Sequence, residues 1–205
     1  MLEFTAGYIS EGGPTLVVFT RVGLASPMPK GLKRHYGQKH LHFVTFCCYQ
    51  RRRYLDTVRA RSLFVKVLAE VRAKYGFFLV GYVVMPDHVH LLLSEPPKGT
   101  VSKVLQVLKQ RVSRKMRENR RRSASNQLRL KFSELPPLST RRFWQRRFFD
   151  FNLWSHAKKK EKLNYMHANP VKERLVQHSK DWPWSSFSFY AHGDGGLIGI
   201  DAVDL

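Results

Sequence analysis

An apolar hairpin with two histidines inside it constrains this chain more than any other feature. Residues 77–85 are apolar and β-branched, Pro86-Asp87 is a turn signal, and His88-Val89-His90-Leu91-Leu92-Leu93 returns as a second apolar run. Two such runs around a short break predict paired antiparallel strands in the interior of a sheet. Along a strand, residues i and i+2 point to the same face, so His88 and His90 can present two ring nitrogens to one metal ion. The alternative is a pair of core histidines satisfied by their neighbours. The spacing alone does not decide, because His40-Leu41-His42 is a second pair of the same form. That second pair sits where a basic loop enters a strand and reads as solvated or near a phosphate. His88 and His90 instead lie where an unpaired imidazole is costly.

The rest of the chain supplies layers for such a sheet. Residues 42–49, rich in β-branched and aromatic side chains, read as a first strand. Over residues 60–75 the apolar positions Leu63, Phe64, Val67, Leu68 and Val71 recur at helical spacing, and Gly76 stops the helix. After Pro96-Pro97-Lys98-Gly99, residues 101–122 read as a second helix with Val104, Leu105, Leu108 and Val112 on one face. Residues 123–140 are polar and proline-bearing and read as a loop, and residues 143–151 as a last, aromatic strand. Ser155 is an N-cap for a helix running to about Ala168, with Pro170 marking its end.

This β-α-β-β-α-β order predicts an α+β fold: a ferredoxin-like antiparallel sheet with helices on one face, plus a C-terminal helix carrying Tyr165. The expected boundaries are a poorly ordered extension over residues 1–30, one domain over 31–192 and a tail over 193–205.

Charge narrows the function classes. The 205 residues hold 36 Lys+Arg against 15 Asp+Glu, a net charge of +21, while 43% apolar content suffices for a core. So large a charge implies a polyanionic partner. No stretch reads as a transmembrane span or a basic amphipathic anchor, so nucleic acid fits better than a membrane. The N-terminus lacks the pattern of a signal peptide, and the adjacent Cys47 and Cys48 would point to opposite faces of a strand, which suits packing in a reducing cytoplasm. Three basic clusters are the expected phosphate contacts: Arg51, Arg52 and Arg53; Lys109, Arg111, Arg114 and Lys115; and Arg141, Arg142, Arg146 and Arg147. In the last cluster Phe143, Trp144, Phe148 and Phe149, with Trp154 beyond, interleave aromatics with arginines, a composition suited to base stacking beside a backbone groove.

Tyr165 and Asn169 stand four residues apart and so share one face of a helix. An amide oxygen at Asn169 can reach a metal while the phenol projects beside it. Equally, the ring of Tyr165 can pack on the sheet and Asn169 can cap the helix. A phenol with a pKa of about 10 is a weak nucleophile at neutral pH and needs a polarised phosphorus to attack. Two imidazoles and an amide oxygen around a divalent ion leave positions open for phosphate oxygens, a set that suits Mn²⁺ and, by abundance, Mg²⁺.

Four segments carry a resemblance in this order: Met85-Pro86-Asp87-His88-Val89-His90-Leu91-Leu92; Phe143-Trp144-Gln145-Arg146-Arg147-Phe148-Phe149-Asp150; Asn164-Tyr165-Met166-His167-Ala168-Asn169-Pro170-Val171-Lys172; and Trp182-Pro183-Trp184-Ser185-Ser186. Over roughly residues 38–190 the chain resembles the repeat-associated tyrosine transposases of bacteria, members of the single-tyrosine, histidine-hydrophobe-histidine class. The resemblance implies His88, His90 and Asn169 as ligands of Mg²⁺ or Mn²⁺ and Tyr165 as nucleophile. It implies cleavage of single-stranded DNA through a 5′-phosphotyrosine link, then strand transfer, without ATP. The implied partners are single-stranded or hairpin DNA of extragenic palindromic repeats, met by a monomer or homodimer in the cytoplasm. Two other readings remain open at this level: a catalytically silent protein that binds palindromic repeats, and a basic RNA-binding protein on the same fold.

Overall fold

Two of the helix starts and one of the stops have a clear local cause in the sequence. In the computed structural model, which describes residues 36–38, 40–128 and 142–202, Thr57 caps α1 (Val58–Tyr75) by accepting from the Ala60 N–H at 3.1 Å. Gly76 ends that helix in the left-handed region at φ 67°, where a side chain would be strained. Ser155 caps α3 (His156–Lys172) in the same way, accepting from the Lys158 N–H at 3.3 Å. The described residues all belong to the unit Gly31–Leu205. The expected extension over 1–30 and the candidate phosphate contact Arg141 lie outside the described residues.

Four strands form one antiparallel sheet: β1 (Leu41–Cys47), β2 (Leu79–Val84), β3 (His88–Ser94) and β4 (Phe149–Leu153). Their order is β2-β3-β1-β4, with every pair antiparallel, which is the order a β-α-β-β-α-β chain takes when two helical crossovers each skip a strand. The sheet is ferredoxin-like, as the element order predicts.

The sheet has two unlike faces. On one, Phe46 meets Phe64 of α1 at 6.1 Å between ring centroids, and Val104, Leu105, Leu108 and Val112 of α2 (Val101–Leu128) are fully buried. On the other, α3 lies close over β2. A Cβ on Gly81 would come within 2.6 Å of Leu163 Cδ2 and 3.4 Å of Met166 Cε, so a side chain there would have to displace the α3 side chains that now pack on it. The outer edge of β2 is bonded by residues 184–186, with Val84 N–H donating to the Trp184 carbonyl and Ser186 N–H to the Tyr82 carbonyl, both at 2.9 Å. The Arg61 guanidinium stands 4.7 and 4.0 Å from the rings of Trp182 and Trp184, fixing this segment to α1. A short helix α4 (Phe187–His192) follows.

The structure corrects four expectations about segments, and it also buries His42, expected to be solvated or near a phosphate, with Nδ1 2.8 Å from Asp150 Oδ1. The second helix continues past residue 122 to Leu128, so the first part of the expected loop is helical. The last strand begins at Phe149, not 143. Before it, Trp144 makes a single bridge to Cys48, donates its indole N–H to the Lys109 carbonyl at 3.0 Å and packs edge-on against Phe46, so its ring is core and strand alternation is broken. The third correction concerns Pro170, which does not end α3. The helix runs to Lys172 and closes when the Leu175 N–H bonds the Pro170 carbonyl and the Arg174 N–H the Val171 carbonyl, with Arg174 at φ 55°. That Schellman closure satisfies the last carbonyls, and the proline sits near enough to the end to forfeit little. Finally, the expected tail is tied to the domain as far as residue 202: Asp201 accepts from the Leu79 N–H at 2.6 Å and pairs with Arg72, and Ile198 is buried.

Candidate active site

Antiparallel pairing places residues opposite one another on the same face. Thr45 stands opposite His90 and Phe149, and Phe43 stands opposite Leu92 and Phe151. The α3 face of the sheet therefore presents His88 and His90 from β3, Phe43 and Thr45 from β1, and Phe149 and Phe151 from β4. Tyr165 reaches this face from α3. Its ring centroid lies 5.5 Å from that of His90 and 6.2 Å from that of Phe43, edge-on to both. His88 and His90 are 4.8 Å apart between centroids. The two imidazoles and the phenol read from the sequence thus come together.

The orientation of each imidazole is set through one nitrogen. His88 Nδ1 bonds Asp87 Oδ1 at 2.7 Å, and Asp87 Oδ2 in turn pairs with Arg51 Nε at 2.8 Å. His90 Nδ1 bonds Thr45 Oγ1 at 2.7 Å. The Asp87 carboxylate can only accept, so it holds the His88 proton on Nδ1 and leaves the lone pair on Nε2. The Thr45 hydroxyl, able to accept or donate, is compatible with the same tautomer at His90, the arrangement found when histidines hold a metal. His90 Nε2 is buried and has no hydrogen-bond partner. An orphaned nitrogen of that kind costs free energy unless something else binds it. Burial, and after it the charges of His88, Arg51 and Lys162, hold the His90 pKa well below its ordinary value, so the ring is neutral and able to ligate.

The donor set therefore fits a divalent ion at the two Nε2 atoms. Among the described residues no three His, Cys, Asp or Glu side chains converge as a metal cluster. Asn169 is buried on the same helix as Tyr165, and its amide N–H donates to the Tyr165 backbone carbonyl at 3.0 Å, which turns Oδ1 away from that carbonyl.

Burial raises the phenol pKa of Tyr165, while hydrogen bonding from Asn169 and the Arg51 charge pull it down without cancelling the rise. The ammonium groups of Lys162 and Lys172 lie 5.9 and 5.2 Å from the ring centroid. They are placed to receive negative charge beside the phenol.

The expected phosphate contacts are distributed unevenly. Arg51 belongs to the site itself through Asp87, whereas Arg52 is exposed and Arg53 pairs with Asp56 at 2.8 Å. Lys109 is half-buried, donates to the Gln145 carbonyl at 2.6 Å and has its pKa pushed down to about 8 by burial, so it clamps α2 to the strand-entry segment. Lys115 and Arg111 approach Glu70 at 2.7 and 3.9 Å, and Arg114 pairs with Glu118. Arg142, Arg146 and Arg147 are exposed.

Sequence reasoning missed Thr45, Asp87, Lys162 and the linking role of Arg51. Asp87 had a readable signal: a carboxylate directly before a ligand-type histidine, at a turn, can bond back to its ring. Thr45 had none, because its partner lies on another strand.

A family model described as IS200-like transposase matches residues 35–169. The chain belongs to that family. A curated relative from Haemophilus influenzae, described as a REP-associated tyrosine transposase, is 32% identical over 119 residues, which covers 55% of this chain and 60% of the relative. The REP-associated tyrosine transposase of Escherichia coli is 25% identical over 173 residues, covering 82% of this chain and 88% of the relative. Among solved structures, a REP-associated tyrosine transposase bound to a REP hairpin shares the fold, with a TM-score of 0.59 at 20% identity over 86% of this chain and 95% of that one.

Proposed function

We propose that the chain is a metal-dependent, single-tyrosine transposase that cuts and rejoins single-stranded DNA next to a hairpin of the REP type, with the chromosome in the cytoplasm. One observation carries this reading: Tyr165 and His90 share one face of the sheet, and the buried Nε2 of His90 lacks any partner. His88, His90 and the amide oxygen of Asn169 would hold Mg²⁺ or Mn²⁺, which when bound polarises the scissile phosphate.

The chain's own residues do the rest. Tyr165 supplies the phenol oxygen that bonds phosphorus. As that bond forms, the phenol proton is lost, the bond from phosphorus to the 3′-oxygen breaks, and the 3′-oxygen takes up a proton. The products are a 5′-phosphotyrosine and a free 3′-hydroxyl. One phosphodiester replaces another, so the reverse attack by a second 3′-hydroxyl rejoins strands without ATP. Lys162 and Lys172 stabilise charge developing beside the phenol.

The test is a covalent adduct on a denaturing gel. End-labelled REP hairpins with single-stranded flanks are incubated with protein and Mn²⁺ or Mg²⁺. A shifted band that EDTA, Tyr165→Phe and His88→Ala each abolish is the expected outcome. A band that survives Tyr165→Phe would refute the assignment of the nucleophile, and salt-sensitive binding with no adduct would favour a silent repeat-binding protein.

A further inference from the structure

We propose that Phe149 and Phe151 of β4, with Trp154 beyond it, form a stacking surface for the unpaired bases that flank the hairpin, leading them to Tyr165. The proposal rests on the DNA reading above and adds to it a site for the single-stranded part of the substrate.

Register places the surface. Phe151 stands opposite Phe43 and Phe149 opposite Thr45, so both rings point to the face that carries His90 and Tyr165, away from α1 and α2. β4 is the edge strand of the sheet, at the opposite side from β2, where α3 is seated on Gly81. Phe149 and Phe151 are accordingly only half-buried. Trp154 follows β4 directly and is 67% exposed, an unusual position for a ring that stabilises a fold chiefly when buried.

The rings lie together as one platform. Phe149 and Phe151 are nearly parallel, at 5°, with centroids 6.4 Å apart, an offset-stacked pair. Such a pair offers one aromatic surface on which an unpaired base can stack. Trp154 adds a third ring, tilted at 5.9 Å from Phe151. Lys162 Nζ lies 5.9 Å from the rings of Phe151, Phe43 and Tyr165 alike, between this platform and the nucleophile, where it can pin a phosphate.

Charge selects the occupant. Lys158, Lys160 and Lys162 line the start of α3 and Arg146 and Arg147 precede β4; Glu161 pairs with Lys158 at 2.7 Å and Lys162 at 2.9 Å, which offsets one of these five positive charges and leaves the surface strongly basic. A second copy of a chain with net charge +21 is repelled by such a surface, whereas a single strand supplies both the rings and the phosphates it lacks. The other aromatics of this region are differently employed. Trp144 is core, and Phe143 packs on Tyr54 at 5.0 Å.

The experiment compares a blunt REP hairpin with the same hairpin carrying single-stranded flanks, using the full chain in EDTA so that no cleavage intervenes. 2-Aminopurine in the flank reports stacking by quenching. Wild type is expected to bind the flanked hairpin more tightly and to quench the probe. Trp154→Ala and Phe151→Leu should each lose about tenfold on the flanked hairpin, within the range for base–aromatic stacking, with unchanged affinity for the blunt one. Trp154→Phe should recover most of the loss, which separates stacking from misfolding. Equal affinities of wild type and Trp154→Ala for the flanked hairpin, or equal losses on both DNAs, overturn the stacking surface and leave the DNA reading intact. A self-association of wild type that Trp154→Ala abolishes also overturns it, since the ring would then face a second copy. Failure of wild type to bind either DNA overturns the DNA reading, and this inference with it.

Discussion

Arg51 shows how much a single residue decides at this site. Its backbone and that of Gln50 both sit at φ 54°, a costly conformation for side-chain-bearing residues, and the reversal turns the guanidinium back onto Asp87. Burial raises the Asp87 carboxyl, but the hydrogen bond and charge of His88 and the charge of Arg51 outweigh it and hold the group below the usual carboxylate range. Asp87 therefore stays ionised and keeps the proton of His88 on Nδ1. Removing the carboxylate should free the ring to rotate and to change tautomer. Asp87→Asn is expected to weaken Mn²⁺ binding about 10- to 100-fold by calorimetry, with Arg51→Gln weaker by a smaller factor and Arg51→Lys partly restoring it. Unchanged Mn²⁺ affinity in Asp87→Asn would mean that this carboxylate does not orient a ligand. In the sequence Arg51 is merely the first of three arginines, and nothing in such a run marks the one whose backbone folds back.

Among the elements, α3 carries the most consequence, because the same helix seats the phenol and closes the C-terminal segment. His167 points away from the site: its Nε2 bonds Ser186 Oγ at 2.8 Å, and its ring packs edge-on against Phe187 and tilted against Tyr190. Burial pushes its pKa down to about 4 from an ordinary 6.5. An unfolded chain takes up this proton as pH falls below 6.5, while the folded one does not until about 4. Stability is therefore undiminished above pH 6.5 and falls across that window by about 3 kcal/mol from this group. His90 acts in the same direction, so only the difference between proteins isolates His167. In EDTA, the urea midpoint of wild type should drop more between pH 7 and 4.5 than that of His167→Gln. Parallel curves would show that the His167 ring does not stay neutral in the fold. Sequence periodicity located α3 and its Ser155 cap, but not its end. Local rules weigh Pro170 heavily, whereas the closing bonds depend on a non-glycine residue, Arg174, adopting positive φ.

For the whole molecule, element order was enough to read the sheet, because the hairpin strands are largely apolar apart from His88, His90 and the terminal Ser94, and the crossovers have strong helical spacing. What stayed illegible depends on distant partners: which aromatics of residues 143–154 are core, and which basic residues are already neutralised. That second distinction bears on how a chain of net charge +21 binds DNA. Each phosphate neutralised releases counterions, with a salt slope of about 0.7 to 0.9 per contact, so the affinity of the hairpin should fall steeply between 50 and 200 mM salt. The contributions should not be equal. Arg111 and Lys115 share Glu70, Arg114 holds Glu118 and Arg53 holds Asp56, and a cation with a carboxylate beside it gains less from a phosphate. Arg52, Arg142, Arg146 and Arg147 are exposed and should carry more. Alanine at Arg142, Arg146 and Arg147 together is expected to lower the slope by about 2, near 0.7 for each, and alanine at Arg111, Arg114 and Lys115 by distinctly less. If the two triple variants change the slope equally, local ion pairs do not sort these residues. A wild-type slope near zero would remove electrostatics from the account of DNA binding altogether.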